Sequence, residues 1–101
     1  MELDQAYVWI TIRTLQPGSY DEFTQAWKPR EIPEGMLQAW ECYDPDRNEV
    51  VGISTWESPE ARDAFRLSEV ENERRRAMAQ YVLEERSGFY RGRELRVPAK
   101  S

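Results

Sequence analysis

The sequence predicts a single α+β domain with the element order β-α-β-β-α-β, on three observations. The chain has 101 residues, 40% of them hydrophobic and 33% charged, which is the size and composition of one globular domain. Four segments have the length and composition of strands. Segments that begin with helix-capping residues separate the first from the second and the third from the fourth. This order is the ferredoxin-like arrangement, expected in one domain of residues 1–101 with its core at 6–97.

The four strands are predicted from β-branched and aromatic residues and from turn signals. Residues 6–14 carry large apolar groups on both faces, which indicates that both faces are at least partly covered. Residues 35–43 and 49–56 are the second and third strands. The loop between them is short and rich in turn-forming residues, so these strands should be antiparallel neighbours. Gly88 interrupts the preceding helical pattern, and residues 89–97 are the expected last strand.

The first helix is predicted to follow Ser19. Glu22, three residues later, completes a capping box with this serine. Pro29 is expected to end the helix because proline cannot continue it. One helical stripe carries its apolar side chains: Tyr20, Phe23 and Trp27.

The second helix is predicted in two parts. Ser58 followed by Pro59 is a strong start signal, because serine caps the helix and proline suits its first position. Ser68 caps the second part, which we expect to run to about Glu84. The apolar side of this second part should carry Val70, Ala77, Met78, Tyr81 and Val82.

The composition excludes several kinds of site. The chain has no histidine, so it offers no imidazole for a haem ligand, a typical zinc site or a Ser-His triad. Acid–base chemistry would fall to carboxylates, tyrosine, lysine or water. Cys42 is the single cysteine, which excludes a disulfide within the chain.

Charge and hydropathy bear on partners and location. The net charge of −5 disfavours a nucleic-acid partner, which would need a basic face. No apolar run reaches the length of a membrane span, and the first four residues are acidic where a signal peptide would be basic. We therefore expect a cytoplasmic protein with no membrane partner.

A calcium-loop pattern in the second turn is incomplete. Asp44, Asp46 and Asn48 copy the opening of such a loop. Glu49 replaces the glycine that the loop requires, and Thr55 stands where its closing glutamate belongs. The segment is interpreted as a hairpin turn, and no metal site is expected.

The segment around Trp56 resembles a known family. Residues 50–58, Val-Val-Gly-Ile-Ser-Thr-Trp-Glu-Ser, are followed by a helix. A hydrophobic first strand, a Pro-Gly turn and a Pro-x-Gly segment at residues 33–35 agree with this pattern. Over residues 6–97 the chain is similar to the antibiotic biosynthesis monooxygenase family of the dimeric α/β-barrel superfamily. The resemblance implies a homodimer of ferredoxin-like subunits whose sheets face one another and form a dimeric α/β barrel.

The resemblance also implies a chemistry without cofactors. Quinone-forming members of the family use neither metal nor flavin. A polycyclic phenol is deprotonated, its carbanion reduces dioxygen, and the pair recombine. The protein supplies a dry aromatic pocket and groups that stabilise the anion.

Site residues carry over from the family only in part. Counted without gaps, Trp56 and Arg76 match a Trp and an Arg of the quinone-forming site. Gly52 stands where that site has Asn, and Arg62 where it has Tyr. The haem-degrading subgroup has Asn, Trp and His at positions that fall on Thr11, Phe65 and Arg75, and without the His ligand we set haem degradation aside.

The catalytic candidates are accordingly Trp56 and Arg76. Helical geometry instead favours Arg74, which lies about 20° from the centre of the apolar stripe, whereas Arg76 lies about 140° away. We follow the ungapped count and take Arg76 as the inward residue, with Arg74 as the alternative. Each candidate also has a structural interpretation, as a core anchor, a solvated face or simple core packing. The substrate-binding candidates are Trp9, Trp27, Phe65, Tyr81 and Arg74.

The leading functional hypothesis is a cofactor-independent monooxygenase, or a related tailoring enzyme, acting on an aromatic polyketide-like or quinol substrate. Two alternatives use the same pocket without oxygen chemistry. One is a small-molecule binding protein. The other is a cyclase or isomerase, which needs only a shaped pocket and a proton shuttle.

Overall fold

A computed structural model describes residues 5–28 and 31–93. Within these residues a four-stranded antiparallel sheet has the strand order β2-β3-β1-β4, and three helices accompany it. This is the ferredoxin-like βαββαβ arrangement, with the second helix split in two as predicted. The elements are β1 Gln5–Leu15, α1 Tyr20–Trp27, β2 Met36–Asp44, β3 Glu49–Trp56, α2 Pro59–Arg66, α3 Glu69–Ala79 and β4 Val82–Arg93.

The central strand β1 sorts its side chains onto two faces of the sheet. Trp9, Thr11 and Arg13 are buried on the face that the helices cover. Ile10 and Ile12 point to the opposite face, where they are half-buried. The period of two therefore gives this strand a helix-covered face and an open face, both rich in large side chains.

Two apolar clusters join the helices to the sheet. One contains Phe65 of α2, and the other contains Phe23 of α1 and Met78 of α3. Between them along β1 lies Thr11, whose partner in β3 is Gly52. The small side chain of Thr11 and the missing side chain of Gly52 leave room between the two clusters. The buried cluster members are Trp9, Trp56 and Phe65 on one side and Leu15, Phe23, Val50 and Met78 on the other.

Two of the three predicted helix caps are confirmed. The Ser58 hydroxyl accepts the Ala61 amide at 3.1 Å, and the Ser68 hydroxyl accepts that of Glu71 at 3.2 Å. The capping box at Ser19 is wrong, since its hydroxyl donates to the Gln16 carbonyl at 2.7 Å and makes no cap bond. The Pro17-Gly18 turn, with Gly18 at φ 79°, brings the Gln16 carbonyl within reach of the hydroxyl. The stop signal at position 29 lies outside the described residues.

The boundary between the last helix and the last strand differs from the prediction. Helix α3 ends at Ala79, and β4 begins at Val82 and runs through Gly88. Val82 pairs with Leu15, and the Tyr81 carbonyl accepts the Gln16 amide at 2.9 Å. Pairing along the whole of β1 prevails over the helical propensity of residues 84–86. Of the predicted last strand, residues 94–97 lie outside the described residues.

The inward face of α3 agrees with the predicted apolar side at Met78 and differs from it at Val70 and Ala77. Val70 is 56% exposed, and Ala77 is exposed. Glu71 and Met78 are the buried residues of this helix. Arg74 lies between them at helical spacing, so a charged stripe faces the sheet.

No helix within the described residues combines the length and the apolar character needed to cross a membrane.

Candidate functional site

A cavity of about 170 Å³ lies between the helix-covered face of the sheet and the helices. It occupies the room beside Gly52, in the middle of β3. A Cβ atom at this position would stand 2.9 Å from the Thr11 hydroxyl and 3.4 Å from the indole nitrogen of Trp27. The missing side chain at position 52 therefore keeps the space open. In the quinone-forming site that the sequence resembles, this position holds Asn.

Aromatic side chains form much of the cavity wall. Trp9 from β1, Trp27 from α1 and Phe65 from α2 all border it. The Trp9 and Phe65 rings meet edge to face, with centroids 6.4 Å apart. The Arg62 guanidinium lies 4.8 Å from the Trp9 ring centre, a cation–π contact that helps to hold the indole. Such walls suit a flat apolar ligand.

Arg74 borders the cavity in an orientation fixed by three bonds. Its Nε and Nη2 donate to the two carboxylate oxygens of Glu71 at 2.5 and 3.0 Å. Its Nη1 donates to the Trp27 carbonyl at 2.6 Å. Glu71 has no solvent exposure, so this bidentate pair is an interior one within α3, and the bond to the Trp27 carbonyl ties α3 to α1.

The expectation that Arg76 turns inward is wrong. Its side chain is 72% exposed and contacts Glu69 at 3.3 Å. Arg75 is also on the outside, with its Nε 3.4 Å from Glu71. Arg74 is the inward residue, in agreement with the helical geometry and in disagreement with the ungapped count.

Arg13 is a second arginine at the cavity, and the sequence reasoning did not single it out. Its side chain is buried, with Nε donating to Glu85 at 2.5 Å and Nη1 to the Thr11 hydroxyl at 3.1 Å. Burial lowers the pKa of Arg13 from its ordinary value, and the attraction of Glu85 acts against this. The available signal was that Arg13 shares a strand face with Trp9, since the two positions are four residues apart.

Glu41 of β2 brings a carboxylate to the cavity, and it too was missed from the sequence. Its Oε1 accepts the Tyr20 hydroxyl at 2.5 Å and the Thr24 hydroxyl at 3.2 Å. Its Oε2 is buried and has no hydrogen-bond partner among the described residues. The bond to Glu41 raises the pKa of Tyr20 above its ordinary value, and burial adds to this. A signal was present, since Glu41 alternates with Tyr43 on the covered face of its strand.

A donor without a partner also borders the cavity. The indole nitrogen of Trp9 is buried and, within residues 5–28 and 31–93, donates to nothing. Buried polar atoms are almost always hydrogen-bonded. Trp9 and Glu41 therefore each bring to the cavity wall a buried polar atom that lacks a partner among the described residues.

Two further predicted site residues do not border this cavity. Trp56 is 1% exposed, donates from its indole nitrogen to the Ser54 hydroxyl at 2.9 Å and lies against Phe65 with ring centres 5.5 Å apart. Tyr81 packs on the other apolar cluster. Of the seven candidates, the structure brings together Trp9, Trp27, Phe65 and Arg74, and leaves out Trp56, Tyr81 and Arg76.

Solved structures share this fold at low sequence identity. No protein-family profile and no curated protein matches the chain. Three bacterial structures, each provisionally named an antibiotic biosynthesis monooxygenase, match its fold. That from Nitrosomonas europaea has a TM-score of 0.74 at 15% identity, over 85% of this chain and 97% of its own. The structure from Chloroflexus aurantiacus J-10-fl has a TM-score of 0.69 at 16% identity, and the match covers 95% of this chain and 97% of the other.

The third, from Bacillus cereus, has a TM-score of 0.69 at 18% identity, and the match covers 92% of this chain and 98% of the other. The matches span nearly the full length of each neighbour, so the likeness concerns the whole domain and not one motif. At identities of 15–18%, TM-scores of 0.69–0.74 show a common fold. The chain thus has the fold of structures that carry the name of the family its sequence resembles.

Proposed function

We propose that the chain is a cofactor-independent monooxygenase, or a related tailoring enzyme, that acts on a small phenol or quinol in the cavity beside Gly52. The observation that carries this proposal is an aromatic-walled cavity bordered by two fixed arginines, Arg13 and Arg74. The fold shared with the named neighbours agrees with it. Fold alone does not determine activity, so the proposal depends on the cavity.

The volume of the cavity limits the substrate. An apolar cavity of about 150 Å³ in a protein core is large enough to hold benzene. The present cavity, at about 170 Å³, suits one ring with a small substituent. The polycyclic phenols that the resemblance implied are larger than this, and we therefore propose a single-ring substrate.

The proposed reaction needs no cofactor because the substrate supplies the electrons. A phenol and dioxygen give a quinone and water, with one oxygen atom entering the ring and the other leaving as water. The protein would bind the ring, exclude bulk water and stabilise negative charge as it develops. Arg13 and Arg74 are held in place by Glu85 and Glu71, so their remaining N–H groups are oriented before the substrate arrives.

A second candidate is a binding protein without oxygen chemistry. Two observations favour it. Gly52 has no side chain where the resembled site has Asn, and Arg62 lies over Trp9 and Phe89 where that site has Tyr. Both groups that would act beside the family's Trp are therefore absent from this chain.

Oxygen uptake and ligand binding test the proposal together. Single-ring phenols and quinols are titrated by calorimetry, and the compounds that bind are assayed for oxygen uptake and quinone absorbance. We expect one dioxygen consumed per quinone formed. Binding without uptake would favour the second candidate, and no binding by any compound would contradict both.

A pair of glycine variants localises the effect to the cavity. Gly52→Ala puts a methyl group 2.9 Å from the Thr11 hydroxyl and into the cavity, so it should weaken binding. Gly92→Ala, also in a strand, meets only Val8 among the described residues, at 3.6 Å, and should bind like the parent protein. Equal binding by the parent and Gly52→Ala would show that the ligand lies elsewhere.

We also propose that a second copy of the chain covers the open face of the sheet. This face carries half-buried Ile10, Ile12 and Ile53, and its rim carries Trp40 and Tyr90 at 46% and 55% exposure. A patch of this kind is typical of a subunit interface. The result would be the homodimer with facing sheets that the resemblance implies.

A further inference from the structure

The two oxygens of the Glu41 carboxylate have very different surroundings. Hydroxyl groups of Tyr20 and Thr24, both on α1, donate to Oε1. Oε2 is buried and receives no hydrogen bond within the described part of the chain, and Glu41 is one of the residues that border the cavity. The helix therefore holds the carboxylate by one oxygen, and the other oxygen lacks a donor.

The charged groups around Glu41 determine which donor fits. From β1 and α3, Arg13 and Arg74 border the same cavity, and each already faces a glutamate of its own, Glu85 and Glu71. Neither arginine is placed on Glu41 by a hydrogen bond in the described structure. A ligand that enters as an anion would therefore meet an uncompensated carboxylate, whereas a ligand with a neutral O–H group would satisfy it.

The partner that holds Oε1 keeps its proton over the usual pH range. The pKa of Tyr20 is raised from 10.0, chiefly because its hydroxyl donates to Glu41. The hydroxyl thus remains protonated at neutral pH and continues to donate to Oε1. The Thr24 hydroxyl does not ionise in this range.

We propose that Glu41 makes the cavity selective for the neutral form of a phenol, whose hydroxyl donates to Oε2. This inference rests on the proposed function, since it takes the aromatic cavity as the ligand site. It adds the protonation state of the ligand and the residue that selects it. In an oxygenation, the same oxygen would receive the phenolic proton: the ligand O–H bond breaks, an O–H bond forms on Oε2, and the negative charge passes to the phenolate. Trp9, which also borders the cavity, has an indole N–H without an acceptor among the described residues.

Phenol and anisole, which differ by one methyl group on the oxygen, test the hydroxyl requirement. By calorimetry at a pH where phenol is neutral, the parent protein should bind phenol roughly ten-fold or more tightly than anisole, because only phenol donates to the carboxylate. Glu41→Gln should lose most of this preference. Glu73→Gln, on the exposed side of α3, is the matched control and should keep it.

Three outcomes are informative. Equal binding of phenol and anisole by the parent protein, or an undiminished preference in a folded Glu41→Gln variant, would overturn the role of Glu41 and leave the cavity proposal intact. Binding of neither compound, nor of any other single-ring phenol or quinol, would instead contradict the proposed function. Circular dichroism establishes that the variants are folded.

A second measurement needs no variant. The affinity of the parent protein for 4-nitrophenol is followed as the pH rises through the ionisation of the phenol itself. We expect the affinity to fall, because the phenolate has no proton to donate and repels Glu41. A constant or rising affinity would mean that the arginines select the anion, and would overturn the proposal.

Discussion

At the scale of single residues, the least expected feature is a carboxylate with no solvent exposure, that of Glu71, on a helix in which arginines outnumber large apolar residues. Taking such a group out of water costs several kcal/mol unless it is paired and hydrogen-bonded. The bidentate bond from Arg74 supplies that pairing. The pair therefore both stabilises α3 and fixes a guanidinium at the cavity.

Removing one partner of this pair should lower the free energy of unfolding far more than removing an exposed arginine. Arg74→Leu leaves Glu71 buried with only the more distant Arg75, and we expect a loss approaching the 3–5 kcal/mol of a broken buried pair, measured by urea denaturation. Arg76→Leu removes an exposed pair and should cost about 0–1 kcal/mol. Equal losses in the two variants would contradict the inward placement of Arg74.

Trp56 offers a contrast between stability and binding. Trp56→Ala deletes a large side chain that is 1% exposed and packed on Phe65, and we expect it to cost about 3–5 kcal/mol in urea denaturation. The binding free energy of the folded fraction for a single-ring phenol should change less than the free energy of unfolding, because the indole does not border the cavity. A variant that keeps its stability and loses binding would assign Trp56 to the site.

Patterns in the sequence predict which side chains are buried. They predict less well which role a buried side chain has at the cavity. Trp9, Trp27 and Phe65 follow from strand alternation and helical spacing, and all three border the cavity. Gly52 does not follow from any pattern within one element, and for Glu41 the strand alternation indicates the face but not the partners. Their meaning depends on side chains of other strands and helices that come close only when the chain is folded.

At the scale of elements, local signals succeeded where the chain has no competing partner. The hydroxyls of Ser58 and Ser68 bond to amides three residues ahead in the same helix, so their caps form as the sequence indicates. Residues 82–86 favour helix by composition, yet they extend β4 because β1 offers hydrogen bonds along its whole length. Tertiary pairing cannot be inferred from that segment alone, and the predicted helix was therefore too long.

The caps can be compared directly by substitution. Ser68→Ala removes the acceptor for the Glu71 amide and should lower the free energy of unfolding by about 1 kcal/mol. Ser19→Ala removes only a bond to the Gln16 carbonyl on the exposed side of a turn, so it should cost less. Urea denaturation of both variants measures the difference. A larger loss at position 19 would mean that its hydroxyl caps α1 in solution.

At the scale of the whole molecule, the helices cover one face of the sheet and the other face keeps its apolar side chains. The element order and the two-faced first strand were sufficient to predict this architecture. The cavity volume could not be predicted, because it depends on how closely three helices approach one row of the sheet. What covers the open face is likewise a property of the assembled molecule.

We predict that the protein is a dimer through this face, with a light-scattering mass twice that of one chain at micromolar concentration. A stable interface buries about 1,600 Å² in total. Ile10→Lys places a charge at the centre of the face, between Ile53 and Gly88, and should give a folded monomer. Leu67→Lys makes the matched change at a side chain that is 73% exposed between α2 and α3, and should remain a dimer. A parent protein that is monomeric, or an Ile10→Lys variant that stays dimeric, would show that no second copy binds here.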